Sequence, residues 1–192
     1  GGFGDSRIYL RGFDTNNIGV LINGVPVNDM ENGQVYWSNW SGLSDVTQTM
    51  QVQRGLGASK LALSSVGGTI NIITRSTEVK KGGSFYTGIG NDGYRKSTFT
   101  ASTGLLDNDW AVTLSGGNTR GDGYINGTSF NSYTYFLNVS KIINDSHRLS
   151  LTAFGAPQWH NQRGTPASIQ DYRDDADGIK RNLTYGIRNG EE

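Results

Sequence analysis

The sequence predicts a small mixed α/β unit followed by about five antiparallel strands of a transmembrane β-barrel wall. Short continuous apolar runs before Lys80-Lys81-Gly82-Gly83 and a period-two alternation after it are the first two observations. The third is composition: 28 glycines and only 34% hydrophobic residues, yet nine tyrosines, seven phenylalanines and four tryptophans. Such a chain is apolar-poor for an ordinary globular core and too aromatic for a disordered one.

Charge and composition exclude several classes of protein. The 17 basic and 17 acidic residues balance, so no overall field attracts nucleic acid or an anionic membrane surface. The absence of cysteine removes disulfides and thiolate metal sites. No apolar run is long enough for a transmembrane helix. Gly1–Asp5 does not resemble a signal peptide, so we expect an exported protein to begin upstream of this chain.

The first unit consists of short strands. A strand over Val20–Ile22 ends at the tight-turn signal Asn23-Gly24 and returns through Val25–Val27. Thr69–Thr74 is a second β-branched run, and continuous runs of this kind predict strands buried on both faces. The remaining predicted elements are a strand over Thr47–Arg54 and a helical turn over Gly57–Ser65.

After Gly83 apolar and polar residues alternate, as they do where Trp110, Val112 and Leu114 are separated by Ala111 and Thr113. One predicted face is apolar, with aromatics near its ends, and the other is small and polar. A soluble sandwich would also alternate, but its polar face would be rich in lysine and glutamate. Here that face is serine, threonine and asparagine, which favours a barrel wall facing a polar lumen.

The predicted connections differ in length at the two ends of these strands. Leu106–Asp109 and Asn144–Ser146 are tight turns, whereas Gly117–Ser132 is a long loop and another long polar stretch begins near Gly155. The hairpin through Asn91–Gly93 is short. Because membrane barrels have short periplasmic turns and long extracellular loops, we place Gly117–Ser132 and Gly155–Glu192 outside the cell. Five strands cannot close a barrel, so we expect a piece of a longer one.

Four blocks carry a resemblance to a known family. They are Arg7–Phe13, Val20–Asp29, Val52–Gly55 continuing into Gly57–Ser59, and Gly67–Thr74. In this order and spacing they resemble the plug domain of TonB-dependent outer-membrane receptors. The resemblance implies that residues 1–77 are the C-terminal part of the plug and residues 78–192 the start of a barrel of about 22 strands. Two later stretches resemble extracellular segments of receptors from Bacteroidetes-type bacteria, namely Gln158–Gly164 and Tyr185–Glu191.

The resemblance implies active transport across the outer membrane of a Gram-negative bacterium. Such a receptor binds a scarce nutrient, which can be a siderophore, vitamin, peptide or oligosaccharide. Its partners would be membrane lipid and the TonB–ExbB–ExbD system, reached through an upstream segment, and no nucleic acid is expected. An adhesin or scaffold that uses the same fold is the alternative. An enzyme is not predicted, because no acid–base pair is visible and the only histidines are His147 and His160.

Candidate substrate-binding residues lie in two segments. The segment Met30–Gly42 carries Tyr36, Trp37 and Trp40 among asparagine and serine, which suits ring stacking and hydrogen bonding to sugars, peptides or chelates. Packing of these aromatics against the barrel wall is the alternative. The neighbours Trp159 and His160 could form part of a ligand rim, or could be exposed loop residues without a role.

Two arginines and an acidic cluster complete the candidates. Arg11 and Arg54 flank glycine and could anchor the plug by pairing with carboxylates on the wall; the alternative is that they are plain surface arginines. No cofactor is predicted. Oxygen ligands for Ca²⁺ could come from four aspartates, although their spacing does not match an EF-hand and a solvated acidic surface fits it as well. These are Asp171, Asp174, Asp175 and Asp177.

Overall fold

The described part of the chain forms two β-sheets, one after the other along the sequence. The structure is a computed structural model that describes residue 3 and residues 6–55, 65–75, 79–164, 168–174, 180 and 182. The first sheet lies between residues 18 and 74 and the second between residues 82 and 160. Residues 6–75, which contain the first sheet, are called the α/β unit below, and the second sheet is called the wall sheet.

The sheet of the α/β unit has four strands, β1 Ile18–Ile22, β2 Val25–Pro26, β3 Thr47–Arg54 and β4 Gly68–Thr74. Their order is β2-β1-β4-β3, with β1 parallel to β4 and the other neighbours antiparallel. Asn23 and Gly24 join β1 to β2 with φ of 51° and 81°, the left-handed pair that a type I′ turn requires. The central strands β1 and β4 are largely buried, which confirms the interpretation of the continuous apolar runs.

The helical segments are short. Two 3₁₀ turns cover Thr15–Asn17 and Trp37–Trp40, while α1 covers Leu43–Val46 and α2 covers Ile169–Asp174. The helical turn predicted over Gly57–Ser65 falls almost wholly on residues 56–64, which lie outside the described residues. Within the described part of the chain, none of the helices is both long and apolar enough to span a membrane.

The apolar core of the α/β unit is completed by one side chain of the wall sheet. The cluster of buried hydrophobic residues consists of Ile18, Val20, Val35, Leu43, Val46, Ile70, Ile72 and Phe136. Phe136 is 2% exposed and belongs to the wall, so the wall supplies part of the hydrophobic burial that stabilises the unit. The mixed α/β unit predicted from the sequence is confirmed.

The wall sheet is antiparallel throughout. Its strands are β5 Gly82–Ile89, β6 Arg95–Ser102, β7 Trp110–Gly121, β8 Phe130–Asn144, β9 His147–Gly155 and β10 Gln158–His160. Each of β5 to β8 pairs with the next, and β9 and β10 both pair with the free side of β8. Only Ala156 and Pro157 separate β9 from β10, so the two form one interrupted strand. The predicted number of about five strands is therefore confirmed.

In the wall sheet the buried face is polar and the exposed face is apolar, which is the reverse of a sheet in a water-soluble protein. The polar or small residues Thr113, Asn138 and Ser140 are at most 2% exposed on the inner face, which contacts the α/β unit. On the outer face Leu114 is 46% and Leu151 68% exposed. This inverted pattern is typical of a barrel wall between lipid and a polar lumen, as predicted.

Hydrogen bonds between side chains cover the inner face. Asn138 Nδ2 donates to Ser150 Oγ at 2.9 Å and to Thr152 Oγ1 at 2.8 Å, and Ser140 Oγ donates to Asn138 Oδ1 at 2.6 Å. These bonds satisfy polar groups that the α/β unit shields from water. The small polar residues of the alternating strands therefore satisfy one another instead of requiring solvent.

Aromatic residues border the apolar part of the outer face. At one end Trp110 lies beneath Lys141, whose Nζ is 5.4 Å from the ring centre. Six residues farther along β7, three rows up on the same face, Phe99 of β6 covers Gly116, and in the same row Tyr135 covers Gly155. Aliphatic residues such as Leu114 fill the band between. Aromatic girdles around an apolar band are the pattern of membrane barrels.

The described connections differ in length less than predicted, since residues 90–94 and 122–129 connect strands at one end of the wall sheet and residues 103–109 and 145–146 at the other. Leu106–Asp109 forms a tight turn, in which Asp109 N donates to Leu106 O at 2.9 Å, and β8 and β9 are joined through Asp145-Ser146. The loop predicted over Gly117–Ser132 is shorter than expected and covers only residues 122–129. Strand pairing continues to Gly121↔Phe130, because glycines in a strand reduce side-chain packing without removing backbone hydrogen bonds.

Candidate functional site

The segment after β2 is held by a buried asparagine that sequence analysis missed. Asn28 accepts a hydrogen bond from Val20 N at 2.7 Å and donates to the carbonyl oxygens of Ile18 and Gly33, both at 2.9 Å. Asp29 Oδ1 then accepts from Glu31 N at 2.9 Å, closing a turn. These bonds replace strand pairing and hold the start of the segment against β1. The signal in the sequence that could have identified Asn28 is its position as a polar residue directly after the predicted strand Val25–Val27.

Tyr36 and Trp37 line a cavity of about 260 Å³ at one end of the α/β unit. Tyr36 is 49% exposed, and its hydroxyl accepts a hydrogen bond from Asn32 Nδ2 at 2.8 Å. Trp37 is half-buried and packs on the hydrophobic core, and its buried Nε1 has no hydrogen-bond partner among the described residues. The other lining residues are Phe3, Ser6, Arg7, Tyr9, Asp14, Thr15, Asn16, Gln34, Val35, Ser38 and Gln162.

Trp40 belongs to a different contact from its two aromatic neighbours. Its ring stacks on Phe154 of β9, with 5.7 Å between ring centres and 20° between ring planes. Tyr36 and Trp37 therefore line the cavity, whereas Trp40 packs against the wall sheet. The alternative of packing against the wall thus applies to Trp40. The role of the three aromatics in substrate binding stays a prediction.

Trp159 and His160 lie in β10 rather than in a loop, and they point to opposite faces. Trp159 is in register with Asn131 on the outer face, whereas His160 is on the inner face. His160 Nε2 is 2.9 Å from Gln162 Nε2, and Gln162 lines the cavity beside Tyr36. His160 thus lies near the cavity rim, and Trp159 does not.

The two arginines expected to anchor the unit are exposed. Arg11 has a left-handed backbone with φ of 56°, and Arg54 ends β3. Neither forms a hydrogen bond or ion pair within the described ranges, and their anchoring role stays a prediction. The contact seen instead joins Asp45 of α1 to Lys96 of β6, with Oδ1 and Nζ 2.7 Å apart and both side chains 21% exposed. Sequence analysis missed this pair, because nothing in either local pattern distinguishes it.

Three polar or close contacts complete the interface between the α/β unit and the wall sheet. Gln158 Nε2 donates to the carbonyl oxygen of Ser38 at 2.6 Å, and Ser132 Oγ donates to Ser41 Oγ at 3.1 Å. Gly42 lies directly against Thr134. Such hydrogen bonds contribute on the order of 1 kcal/mol each, so each of these polar contacts is a small part of the stability of the interface.

Among the described residues the structure shows no cluster of metal-binding side chains. The side chains of the four aspartates considered for Ca²⁺ lie outside the described residues, and elsewhere in the described ranges no group of three potential ligands converges. His147 begins β9 and His160 ends β10, at opposite ends of one interrupted strand.

Comparison with known proteins relates the chain to one family. Residues 1–69 match the model of the TonB-dependent receptor plug domain. The vitamin B12 transporter BtuB of Vibrio vulnificus is 28% identical over 125 residues, which are 65% of this chain and 20% of that protein. The chain thus spans about a fifth of the length of this curated relative.

Solved receptors share the fold. The ferric-catecholate import receptor Fiu from E. coli aligns with a TM-score of 0.67 and 22% identity, covering 88% of this chain and 24% of that one. The pyoverdine receptor FpvA of Pseudomonas aeruginosa, bound to pyoverdine, aligns with a TM-score of 0.64 and 17% identity, covering 80% and 22%. The relatives named here do not support the Bacteroidetes-type resemblance of Gln158–Gly164 and Tyr185–Glu191.

Proposed function

Because this chain belongs to the TonB-dependent receptors of the Gram-negative outer membrane, we propose that the whole receptor binds a scarce nutrient and imports it. In this proposal residues 1–77 are plug and residues 78–192 begin the barrel. The gap between Thr74 at the end of β4 and Gly82 at the start of β5 supports that division. Energy would come from TonB–ExbB–ExbD acting on the plug. The chain would have no catalytic role of its own.

The cavity beside Tyr36 and Trp37 is the observation that carries the proposal. It lies at the end of the α/β unit near residues 122–129, the longest connection between the described wall strands, since Phe3 at its margin stacks on Phe130 at the start of β8 with 4.3 Å between ring centres. Ligands arriving from outside the cell would meet this end first. Two aromatic rings with Arg7 and Gln34 beside them provide stacking surface and hydrogen-bond donors.

The substrate class we propose first is a metal chelate or a vitamin of similar size. The relatives are named for vitamin B12, ferric catecholate and pyoverdine. Aromatic stacking with a few polar contacts also suits peptides and oligosaccharides, which are the other candidates.

Replacement of Tyr36 tests the binding site. In the purified full-length receptor, we expect Tyr36→Ala to weaken binding of its nutrient about tenfold, as a buried aromatic contact of about 1.4 kcal/mol would. Ferric siderophores and cobalamin are the probes, measured by fluorescence quenching. Met30→Ala is the matched control, because Met30 is fully exposed in the same segment and lines no described cavity. Equal affinities in both variants and the wild type would assign the aromatics to packing alone.

Coupling to TonB separates a transporter from an adhesin. Cells that lack TonB should bind the nutrient at the surface and fail to accumulate it. Accumulation independent of TonB, or surface adhesion without any nutrient binding, would support the adhesin or scaffold instead.

A further inference from the structure

A row of polar residues crosses the outer face of the wall sheet near its extracellular end. Arg95 of β6 is in register with Arg120 of β7, Arg120 with Asn131 of β8, and Asn131 with Trp159 of β10. These four side chains line a shallow cavity of about 440 Å³. Two arginines directly opposite each other on one face repel, which favours an anion between them.

The part of the chain that the structure describes provides no ion-pair partner for Arg95 or Arg120. Among the described residues, neither guanidinium has an ion pair or hydrogen bond. The nearby cation Lys180, by contrast, pairs with Asp92 at 3.3 Å. The carboxylate of Asp122 borders the same cavity but lies against Gly93. Two positive charges therefore face one carboxylate, which leaves a net positive site open to the outside.

The row stands at the upper edge of the apolar band. Ten residues of β7 separate Trp110 at the lower girdle from Arg120, roughly 33 Å along the strand and roughly 25 Å along the axis of a barrel with strands tilted by about 40°. That height equals the apolar band of an outer-membrane barrel, about 25 Å. Tyr133 and Tyr135, each 54% exposed, lie in the two rows directly below. The arginines therefore lie at the level of the outer-leaflet head groups.

We propose that Arg95, Arg120 and Trp159 bind a phosphate group on the head of an outer-leaflet glycolipid. Guanidinium groups bind phosphate through paired N–H donors, and two adjacent arginines match a doubly charged anion. The indole of Trp159 suits the interface, where one edge of the ring meets acyl chain and the other meets sugar. The exposed tyrosines below would contact the first carbons of the acyl chains.

This site lies on the opposite face of the wall from the nutrient cavity and is independent of the proposed function. Trp159 was a candidate for a nutrient-binding rim, but its outward direction and its position beside the arginines assign it to lipid. A lipid, rather than a soluble anion, is favoured because the arginine row lies at head-group height, with the exposed rings of Tyr133 and Tyr135 in the two rows below it.

Lipid binding by the full-length receptor tests the proposal. Bis-phosphorylated lipid A would be titrated against the purified receptor in detergent and the bound lipid counted by native mass spectrometry. We expect the double variant Arg95→Gln/Arg120→Gln to bind about 30-fold more weakly, from roughly fivefold for each arginine at a membrane surface. Lipid A without phosphates should bind the wild type and the variant alike.

Lys141→Gln is the matched control, since Lys141 is a cation on the same face at the opposite, periplasmic end. It should bind lipid A as the wild type does, and nutrient binding at the Tyr36 cavity should be unchanged in every variant, which reports folding independently. If the double variant did not fold, Trp159→Ala alone should still weaken binding about fivefold. Undiminished affinity for bis-phosphorylated lipid A in the folded variant would overturn the proposal. Full competition by millimolar inorganic phosphate would instead assign the site to a free anion and would also overturn it.

Discussion

A single glycine shows how closely the α/β unit approaches the wall. Gly42 precedes α1 with φ of 79°, and a Cβ atom built there would lie 2.5 Å from Thr134 Cγ2 of β8. Two separate reasons therefore require glycine, since the backbone is left-handed and the wall leaves no room for a methyl group. Gly24 has nearly the same φ, 81°, but no atom within 4 Å of the added Cβ. Comparison of Gly42 with Gly24 therefore separates the cost of backbone strain from the cost of close packing.

We expect Gly42→Ala to destabilise the docked α/β unit more than Gly24→Ala does. The left-handed backbone alone costs about 1 kcal/mol with a Cβ atom, and the clash at position 42 should add roughly 1–3 kcal/mol of overpacking. Thermal denaturation of the full-length receptor in detergent, followed by differential scanning calorimetry, compares the two variants. Equal losses of stability would mean that the unit can move away from Thr134 without cost.

Anchoring of the α/β unit also depends on particular residues. The Asp45–Lys96 pair joins α1 to β6 where both side chains are 21% exposed, and Asp45 Oδ2 is buried without a partner in the described part of the chain. A partly buried pair is stabilising only while both partners remain, because loss of one leaves the other charge poorly solvated. Arg11 and Arg54, chosen from the sequence, are more exposed than this pair.

At the scale of elements, β8 shows how one strand serves two environments. Its inner residues include Asn138 and Ser140, which hydrogen-bond to each other, and Phe136, which enters the core of the α/β unit. Its outer residues include Leu137 and Tyr135, which form part of the apolar band. A shift of the strand by one residue would exchange these environments, so the alternating sequence strongly specifies the register.

The outer face should tolerate charge according to depth. We expect Leu114→Arg, near the middle of the apolar band, to cost about 2–4 kcal/mol of folding free energy in lipid, against about 0–1 kcal/mol for Tyr133→Arg near the interface. Both positions are about half exposed on the same face, so they differ chiefly in depth. Equilibrium unfolding of the full-length receptor from lipid vesicles gives the two values. A smaller cost at Leu114 than at Tyr133 would contradict the assignment of this face to lipid.

At the scale of the whole molecule, the described residues leave much apolar surface uncovered. The outer face of the wall sheet is apolar and exposed, and the described sheet has free edges at β5 and at β9 with β10. Edge strands with unpaired backbone groups promote association with other chains. The isolated chain therefore combines two causes of aggregation in water.

We expect the isolated chain to aggregate in buffer and to remain dispersed in dodecylmaltoside. Size-exclusion chromatography with light scattering distinguishes the two states. A monomeric chain that unfolds cooperatively on heating without detergent would be incompatible with this reading of the outer face.

The sequence alone determined the two-part architecture and most of the strands. The alternation of apolar and polar residues, as in Trp110–Leu114, and tight turns such as Asn23-Gly24 each depend on only a few neighbouring residues. Local sequence is therefore sufficient to specify them. The inverted composition of the alternating strands also indicated which face meets lipid. The extension of β7 through Gly116–Gly121 was harder to predict from the sequence. Glycine-rich sequence is typical of loops and also of strands on which aromatic rings lie.

The tertiary structure alone decided how the two parts meet and which way the candidate residues point. Asp45 meets Lys96, and Trp40 meets Phe154, across 51 and 114 positions of sequence. The position of Trp159 on the outer face followed from its register with Asn131, which no local pattern of three residues in β10 could specify. Contacts of this kind depend on strand register and on the packing of one sheet on the other, and both are set only when the whole chain folds.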